Sequence, residues 1–193
     1  MLKFIKEKIL LHEAVCPWWL AYTFDNPVRK LFHYPSKLFR NYLKDGMTVL
    51  DIGCGMGYFS IAMAKLVGDK GKVIAVDIQE KMLQIMKKRA EKAGVLNRII
   101  PRLIKDNKLG VYKKADFVLT FWVVHEVSDK KSFFTQIYNS LKPEGQYLIA
   151  EPNMHTSKKY FDELEKLCIT TGFKVKGRPK VTISRALLLV KKQ

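Results

Sequence analysis

Glycines at positions 53, 55 and 57 punctuate the run VLDIGCGMGYFS, residues 49–60, directly after an apolar segment. Lacking a Cβ, glycines take backbone angles closed to other residues and let a ligand approach the main chain. Two carboxylates flank the turn. Asp51 lies two residues before the first glycine, and Asp77 closes the next apolar run, KVIAVD. A carboxylate in the second position, about twenty residues past such glycines, can accept hydrogen bonds from both hydroxyls of a ribose. The pattern therefore calls for a nucleoside-bearing ligand. A dinucleotide turn needs a small residue where Tyr58 stands, and a P-loop needs a Gly-Lys-Ser/Thr that this turn lacks. An acid at position 51 also suits an ammonium group better than a pyrophosphate. S-adenosylmethionine carries an ammonium, a sulfonium and a ribose, and is the expected ligand. No metal is expected, because the sequence has no Asp/Asn cluster suited to magnesium.

Regular elements must hold these residues in place. MTVLDI reads as a strand and Tyr58 to Val67 as a helix. KVIAVD is a second strand, and Glu80 to Ala93 a second helix ended by Gly94. Arg98 to Ile104 is a third strand, and ADFVLTFW a fourth, whose largely apolar character calls for burial on both faces. Lys130 to Leu141 reads as a helix, the Lys142–Gly145 segment as a turn, and QYLIAE as a fifth strand. A helix from Ser157 to Thr171, with Ser157 as its cap, and two short strands at Phe173 to Lys176 and Arg185 to Val190 follow. Alternating strands and helices call for a parallel sheet covered on both faces, with ligands beyond the carboxyl ends of its strands. The last two strands read as an antiparallel hairpin. Residues 1–46 differ: they are rich in aromatics and broken by Pro17, Pro27 and Pro35, which suggests short helices and loops, one of them capped by Ser36. The chain is expected to be one domain over residues 1–193, with residues 1–46 as a helical cap and 47–193 as the α/β core.

Residues 47 to 191 resemble the class I S-adenosylmethionine-dependent methyltransferases. VLDIGCGMG is similar to that family's first motif, VIAVDIQ to its second, ADFVLTFWVVHEV to its fourth and LKPEGQYLIAEP to its strand-five motif. The nearest flavour is the small-molecule branch that includes the ubiquinone and menaquinone methyltransferases. The resemblance implies a Rossmann-like, doubly wound, seven-stranded and mostly parallel sheet whose last strand is antiparallel. It also implies contacts. Asp51 would hold the methionine ammonium, and Gly53, Cys54, Gly55 and Gly57 would line the methionine and sugar. Asp77 would bind the ribose, Ile78 would pack on adenine, and Asp106 or Asn107 would meet its amino group. Thr120, Phe121 and His125 would face the reacting end.

Methyl transfer is a displacement at carbon that needs alignment and a dry site, and a base where the acceptor is a protonated hydroxyl. His125, just past the fourth strand, is the candidate base, since histidine exchanges a proton near neutrality. The alternative is that it bonds the backbone and shapes the pocket. Trp122, Glu151 and His155 are expected near the acceptor, and Glu151 should point to the pocket rim. Trp18, Trp19, Tyr22 and Tyr34 could enclose an apolar or aromatic acceptor, including an anionic one, as a lid, or simply pack on the flanking helices. Residues 3–11 could instead form a basic amphipathic helix on an anionic membrane surface.

The net charge of +17 permits an RNA or protein acceptor. Against RNA, TFWV stands where base-amine methylating enzymes carry an NPPY-like motif, and no separate RNA-binding module is visible. A non-catalytic partner that merely binds the donor is a third reading. The three cysteines, 16, 54 and 168, are too scattered for a disulfide framework or a zinc site. No apolar run reaches the roughly 18 residues a membrane span requires. Charged residues break up the N-terminal apolar stretch, so no signal peptide is expected and a cytoplasmic location is. Oligomeric state is not legible.

Overall fold

The apolar runs become strands and the amphipathic ones helices. A computed structural model describes residues 18–20, 25, 29–105, 108–110 and 114–192. Two short helices, α1 (Arg29–Phe32) and α2 (Pro35–Phe39), precede β1 (Thr48–Ile52). Then follow α3 (Tyr58–Leu66), β2 (Lys72–Asp77), α4 (Glu80–Lys92), β3 (Ile99–Leu103) and β4 (Ala115–Phe121). The chain ends with α5 (Lys130–Ser140), β5 (Leu141–Pro152), α6 (Lys158–Thr170), β6 (Phe173–Gly177) and β7 (Ser184–Lys191).

The strands form one seven-stranded sheet in the order β3-β2-β1-β4-β5-β7-β6. The pairs β1–β2, β1–β4, β2–β3 and β4–β5 are parallel, while β7 runs antiparallel to both β5 and β6. Thus only β7 opposes the rest, as expected. Ile52 of β1 pairs with Val76 of β2 on one side and Thr120 of β4 on the other. The carboxyl ends of these three strands are therefore flush, and Gly53, Asp77 and Phe121 emerge in one row. The strand order reverses direction between β1 and β4, where open α/β sheets bind ligands.

Each face of the sheet carries its own core. Phe39 of α2, Phe59 and Met63 of α3 and Met86 of α4 pack on one side with Val49, Val73 and Phe117. Phe134 and Ile137 of α5 and Phe161 and Leu164 of α6 pack on the other with Leu50, Ile74 and Tyr147. Helix α4 shows why: Met82, Leu83, Met86 and Ala90 recur at helical spacing and are buried, whereas Lys81, Lys87 and Lys88 are exposed. The Cys54 and Cys168 thiols are buried and free.

Two local expectations need correction. Ser36 does not cap α2. The helix starts at Pro35, whose missing N–H suits the first helical position, and Tyr34 precedes it with no side-chain cap. The Lys142–Gly145 segment is a bulge inside a longer β5 and not a turn before it. Leu141 pairs with Ala115 and Gln146 with Phe117, while Glu144 sits at a φ of 60° in between. Ser157 does cap α6, its hydroxyl accepting from the Tyr160 N–H at 3.0 Å.

Candidate active site at the carboxyl edge of the sheet

The glycine turn is held from below by β2. The Gly53 and Cys54 N–H groups donate to the Val76 carbonyl at 2.8 and 3.0 Å. The Gly55 N–H donates to Asp77 Oδ2 at 2.8 Å, and the Gln79 N–H donates to Asp77 Oδ1 at 2.9 Å. Each oxygen of Asp77 accepts once here and keeps a lone pair for a ligand hydroxyl. Asp51 is buried at the end of β1 and accepts a short hydrogen bond from the Ser60 hydroxyl on α3. Burial pushes its carboxyl up to about 7, with the Asp77 charge adding and the Ser60 bond and Arg29 opposing. Cys54 lies buried inside the turn and Gly57 caps α3 in the left-handed region. Ile78 is exposed beside Asp77, a free apolar surface for a planar group.

Gly53 and Gly55 do different work. Gly53 has a φ of +70°, and a Cβ there would lie 2.3 Å from Val123 Cγ2, in the loop after β4. Gly55 has a φ of +51°, and a Cβ there would meet nothing within 4 Å. One glycine lets two loops touch; the other leaves the ligand side of the turn open. Changing Gly53 to Ala should therefore cost about 2 kcal/mol of stability through backbone strain and overpacking. Denaturant melts of the two proteins check this, and equal midpoints would show that the Val123 contact is not tight.

On the β4–β5 side the geometry is built around Glu151. Its carboxylate is fully buried and accepts the Val123, Val124 and His125 N–H groups at 3.1, 3.0 and 3.1 Å. His125 Nδ1 adds a contact to the same carboxylate at 2.6 Å. A carboxylate only accepts, so Nδ1 carries the proton and Nε2 is the nitrogen left to take another. Burial opposes protonation of His125, but the hydrogen bond and charge of Glu151, with Glu126, outweigh it and raise its pKa above the usual value. The exposed His155 ring lies parallel to that of His125, with centroids 6.0 Å apart.

The start of the described chain crosses this edge. The Trp18 N–H donates to Gln79 Oε1 at 3.0 Å, next to Asp77. Asp25 pairs with Arg89 of α4 at 2.6 Å. The Arg29 guanidinium lies 4.8 and 4.9 Å from the Tyr58 and Phe59 ring centres and 5.6 Å from those of Phe121 and Trp122. His33 meets Phe121 edge-on at 4.9 Å and donates from Nε2 to the Thr182 carbonyl at 2.9 Å. The Tyr58 hydroxyl donates to the His33 carbonyl at 2.7 Å. Tyr58 is therefore spent on the cap and does not sit between strand and helix.

Comparison with known proteins fits this geometry. Residues 43–178 match the family described as a methyltransferase domain. The chain belongs to that family. The domain is 30% identical over 125 residues to a ubiquinone/menaquinone biosynthesis C-methyltransferase of Wigglesworthia glossinidia brevipalpis, covering 63% of this chain and 50% of that protein. It is 32% identical over 117 residues to a protein-L-isoaspartate O-methyltransferase of Thermotoga maritima, covering 61% of this chain and 35% of that one. The chain thus spans about half the length of the first relative and a third of the second. A crystal structure of a SAM-dependent methyltransferase from Aquifex aeolicus superposes with a TM-score of 0.82 at 24% identity, covering 91% of this chain and 99% of that one, which establishes the shared fold.

Several sequence-predicted residues of this methyltransferase domain occupy places other than those expected. Thr120 does not face the reacting end. It is turned into the core, where its hydroxyl and that of Tyr147 are 2.9 Å apart. Alternation along β4 sends Phe121 to the opposite face, against His33 and Phe59. Glu151 lies beneath the rim, its oxygens taken by the loop and His125. Trp18, partly exposed, stands at the Asp77–Gln79 side, and Trp19 is exposed. Tyr34 is 59% exposed and closes nothing. Trp122, at a φ of 62°, donates from Nε1 to the Ser184 hydroxyl at 2.9 Å. Tyr22, Asp106, Asn107 and residues 3–11 lie outside the described residues. No helix among the described residues is long and apolar enough to cross a membrane. An open groove of about 600 Å³ between α6 and the β6–β7 hairpin contains none of the turn residues. Sequence reading missed Arg29 and His33, because nothing in the spacing of NPVRKLFH marks an inward face.

Proposed function

We propose that the protein transfers a methyl group from S-adenosylmethionine to a small aromatic or apolar acceptor bearing an ionisable hydroxyl or enol, as part of one domain in which Arg29 and His33, ahead of the first strand, cover the site. The observation that carries the donor assignment is the pairing of Asp77 with the Gly55 N–H beside a turn left open at Gly55. The residues present suit this donor: Asp51 for its ammonium, Asp77 for its ribose hydroxyls, Ile78 for its adenine, with Gly53, Cys54, Gly55 and Gly57 as the cradle. When bound, the donor supplies a methyl group activated by a positive sulfur.

The chain's own groups do the rest. Phe121 and Trp122, covered by His33 and Arg29, exclude water and favour an apolar acceptor. His125, held by Glu151, would take on Nε2 the proton that the acceptor gives up on methylation. Glu151 is a positioning residue that fixes the tautomer and steadies the charged ring. The parallel His155 ring is the acceptor-side neighbour. Relatives named for carbon and for oxygen methylation both match the domain in sequence, so the acceptor atom rests on the pocket and not on likeness.

The test is label transfer from methyl-labelled donor to a panel of phenols, quinols, carboxylic acids, bulk RNA and protein. Incorporation into a hydroxylated aromatic supports the proposal. Incorporation into RNA or protein alone would move the function to a macromolecular acceptor, and donor binding with no incorporation anywhere would favour a binding protein.

Asp51 gives this reading a pH dependence. Its carboxyl must ionise to hold an ammonium, and it titrates near 7 in the fold. Below that value, binding has to expel a proton, so affinity for S-adenosylhomocysteine should rise about tenfold per pH unit up to 7 and then level. Stability of the ligand-free protein runs the other way. Between an unfolded value near 4 and the folded value near 7, the native carboxyl holds a proton the unfolded chain has released, so stability falls as pH rises through that window. Calorimetric titrations from pH 5.5 to 8.5 check the first statement; a flat profile would remove Asp51 as the ammonium partner.

A further inference from the structure

Arg29 is a half-buried cation that neither the spacing of the sequence nor the donor motif accounts for. Its Nε is buried and has no hydrogen-bond partner, one of only four such side-chain atoms among the described residues. Buried donors are nearly always satisfied, so an orphan of this kind needs an explanation. The guanidinium stands between two parts of the ligand crevice. Tyr58 and Phe59 directly follow the last glycine of the turn, and Phe121 and Trp122 end the β4 segment. The carboxylates of Asp25 and Asp51 both act on it through charge, Asp25 the more strongly. The buried Asp51 acid at the turn and the Arg29 guanidinium over the rings beside it complement a group that carries an ammonium and a carboxylate on one carbon. That group is the α-amino acid end of the donor.

We propose that Arg29 receives the amino-acid carboxylate of the donor, and that this contact closes α1 over the crevice before the acceptor binds. The inference rests on the donor assignment above. Helix α1 is well placed to carry the signal. The His33 carbonyl accepts from Tyr58 at the turn, and the His33 ring donates to Thr182 beside the hairpin. Holding Arg29 therefore fixes the segment whose His33 packs on Phe121 and Trp122. The acceptor wall is completed by the donor, and acceptor binding follows donor binding.

Calorimetry with S-adenosylhomocysteine and its decarboxylated analogue tests this, because the analogue keeps the amine and lacks only the carboxylate. The wild-type protein should bind the parent about 10- to 100-fold more tightly, the worth of one charge-assisted contact. Arg29→Met should bind the two alike, and Arg29→Lys should keep part of the preference. Amide exchange at residues 29–43 of the wild type should slow with the parent and not with the analogue. Equal wild-type affinities, or an Arg29→Met protein that keeps the preference, overturns the proposal. An unchanged S-adenosylhomocysteine affinity in Arg29→Met with a raised acceptor KM would give Arg29 to the acceptor and also overturns it. A wild-type protein that binds neither compound removes the donor assignment itself.

Discussion

Replacing His125 with Asn lowers kcat by about 100- to 1000-fold, the worth of a positioned base, while the donor dissociation constant stays within about twofold. Asn keeps a side chain of similar reach and cannot take the proton. The pH profile is the sharper readout. The neutral ring is the active form, and the Glu151 contact raises its pKa above the usual histidine value. Activity therefore climbs with pH on a limb displaced to the alkaline side of an ordinary histidine. Glu151→Gln removes the charge that outweighs burial, so the limb moves to lower pH even as kcat drops. A merely structural role for Glu151 predicts loss of rate with no shift of the limb. If His125→Asn keeps its rate within a few-fold at every pH, the imidazole shapes the pocket and the base lies elsewhere.

Asp77→Ala weakens S-adenosylhomocysteine binding by about 100-fold or more, with little loss of fold. Two effects combine. The ribose hydroxyls lose charge-assisted acceptors, each such bond being worth about 1.5–3 kcal/mol. The turn also loosens, because the Gly55 and Gln79 N–H groups lose their partner. Asp77→Glu should retain part of the affinity, and Asp77→Asn less, since an amide presents a donor where Gly55 also donates. Titration calorimetry reads all three, with circular dichroism to confirm folding. Affinity in Asp77→Ala within threefold of wild type would mean that the nucleoside binds away from β2.

What the sequence made legible was what local rules control. The strands were readable because Val49–Ile52 and Phe117–Phe121 are runs apolar but for Asp51 and Thr120, and the carboxylates because each stands at or near the end of such a run. The seven-stranded sheet and its antiparallel β7 followed from resemblance and from the terminal hairpin. Positions decided by the third dimension were not readable. Thr120 and Phe121 are neighbours in an apolar run, and only packing against Tyr147 shows which one turns away from the crevice. Glu151 looked like a rim group because it ends β5; three loop N–H groups, which sequence cannot position, bury it. Arg29 and Trp18 reach the crevice through a segment broken by prolines, where no periodicity assigns a face.

The central claim is that the Asp51–Gly57 turn and Asp77 hold the methyl donor. A crystal structure of the protein soaked with S-adenosylhomocysteine tests it most directly. The account predicts both ribose hydroxyls within hydrogen-bond distance of the Asp77 carboxylate, with the amino-acid end between Asp51 and Arg29. Density for the nucleoside at any other place, such as the groove beside α6, would contradict it.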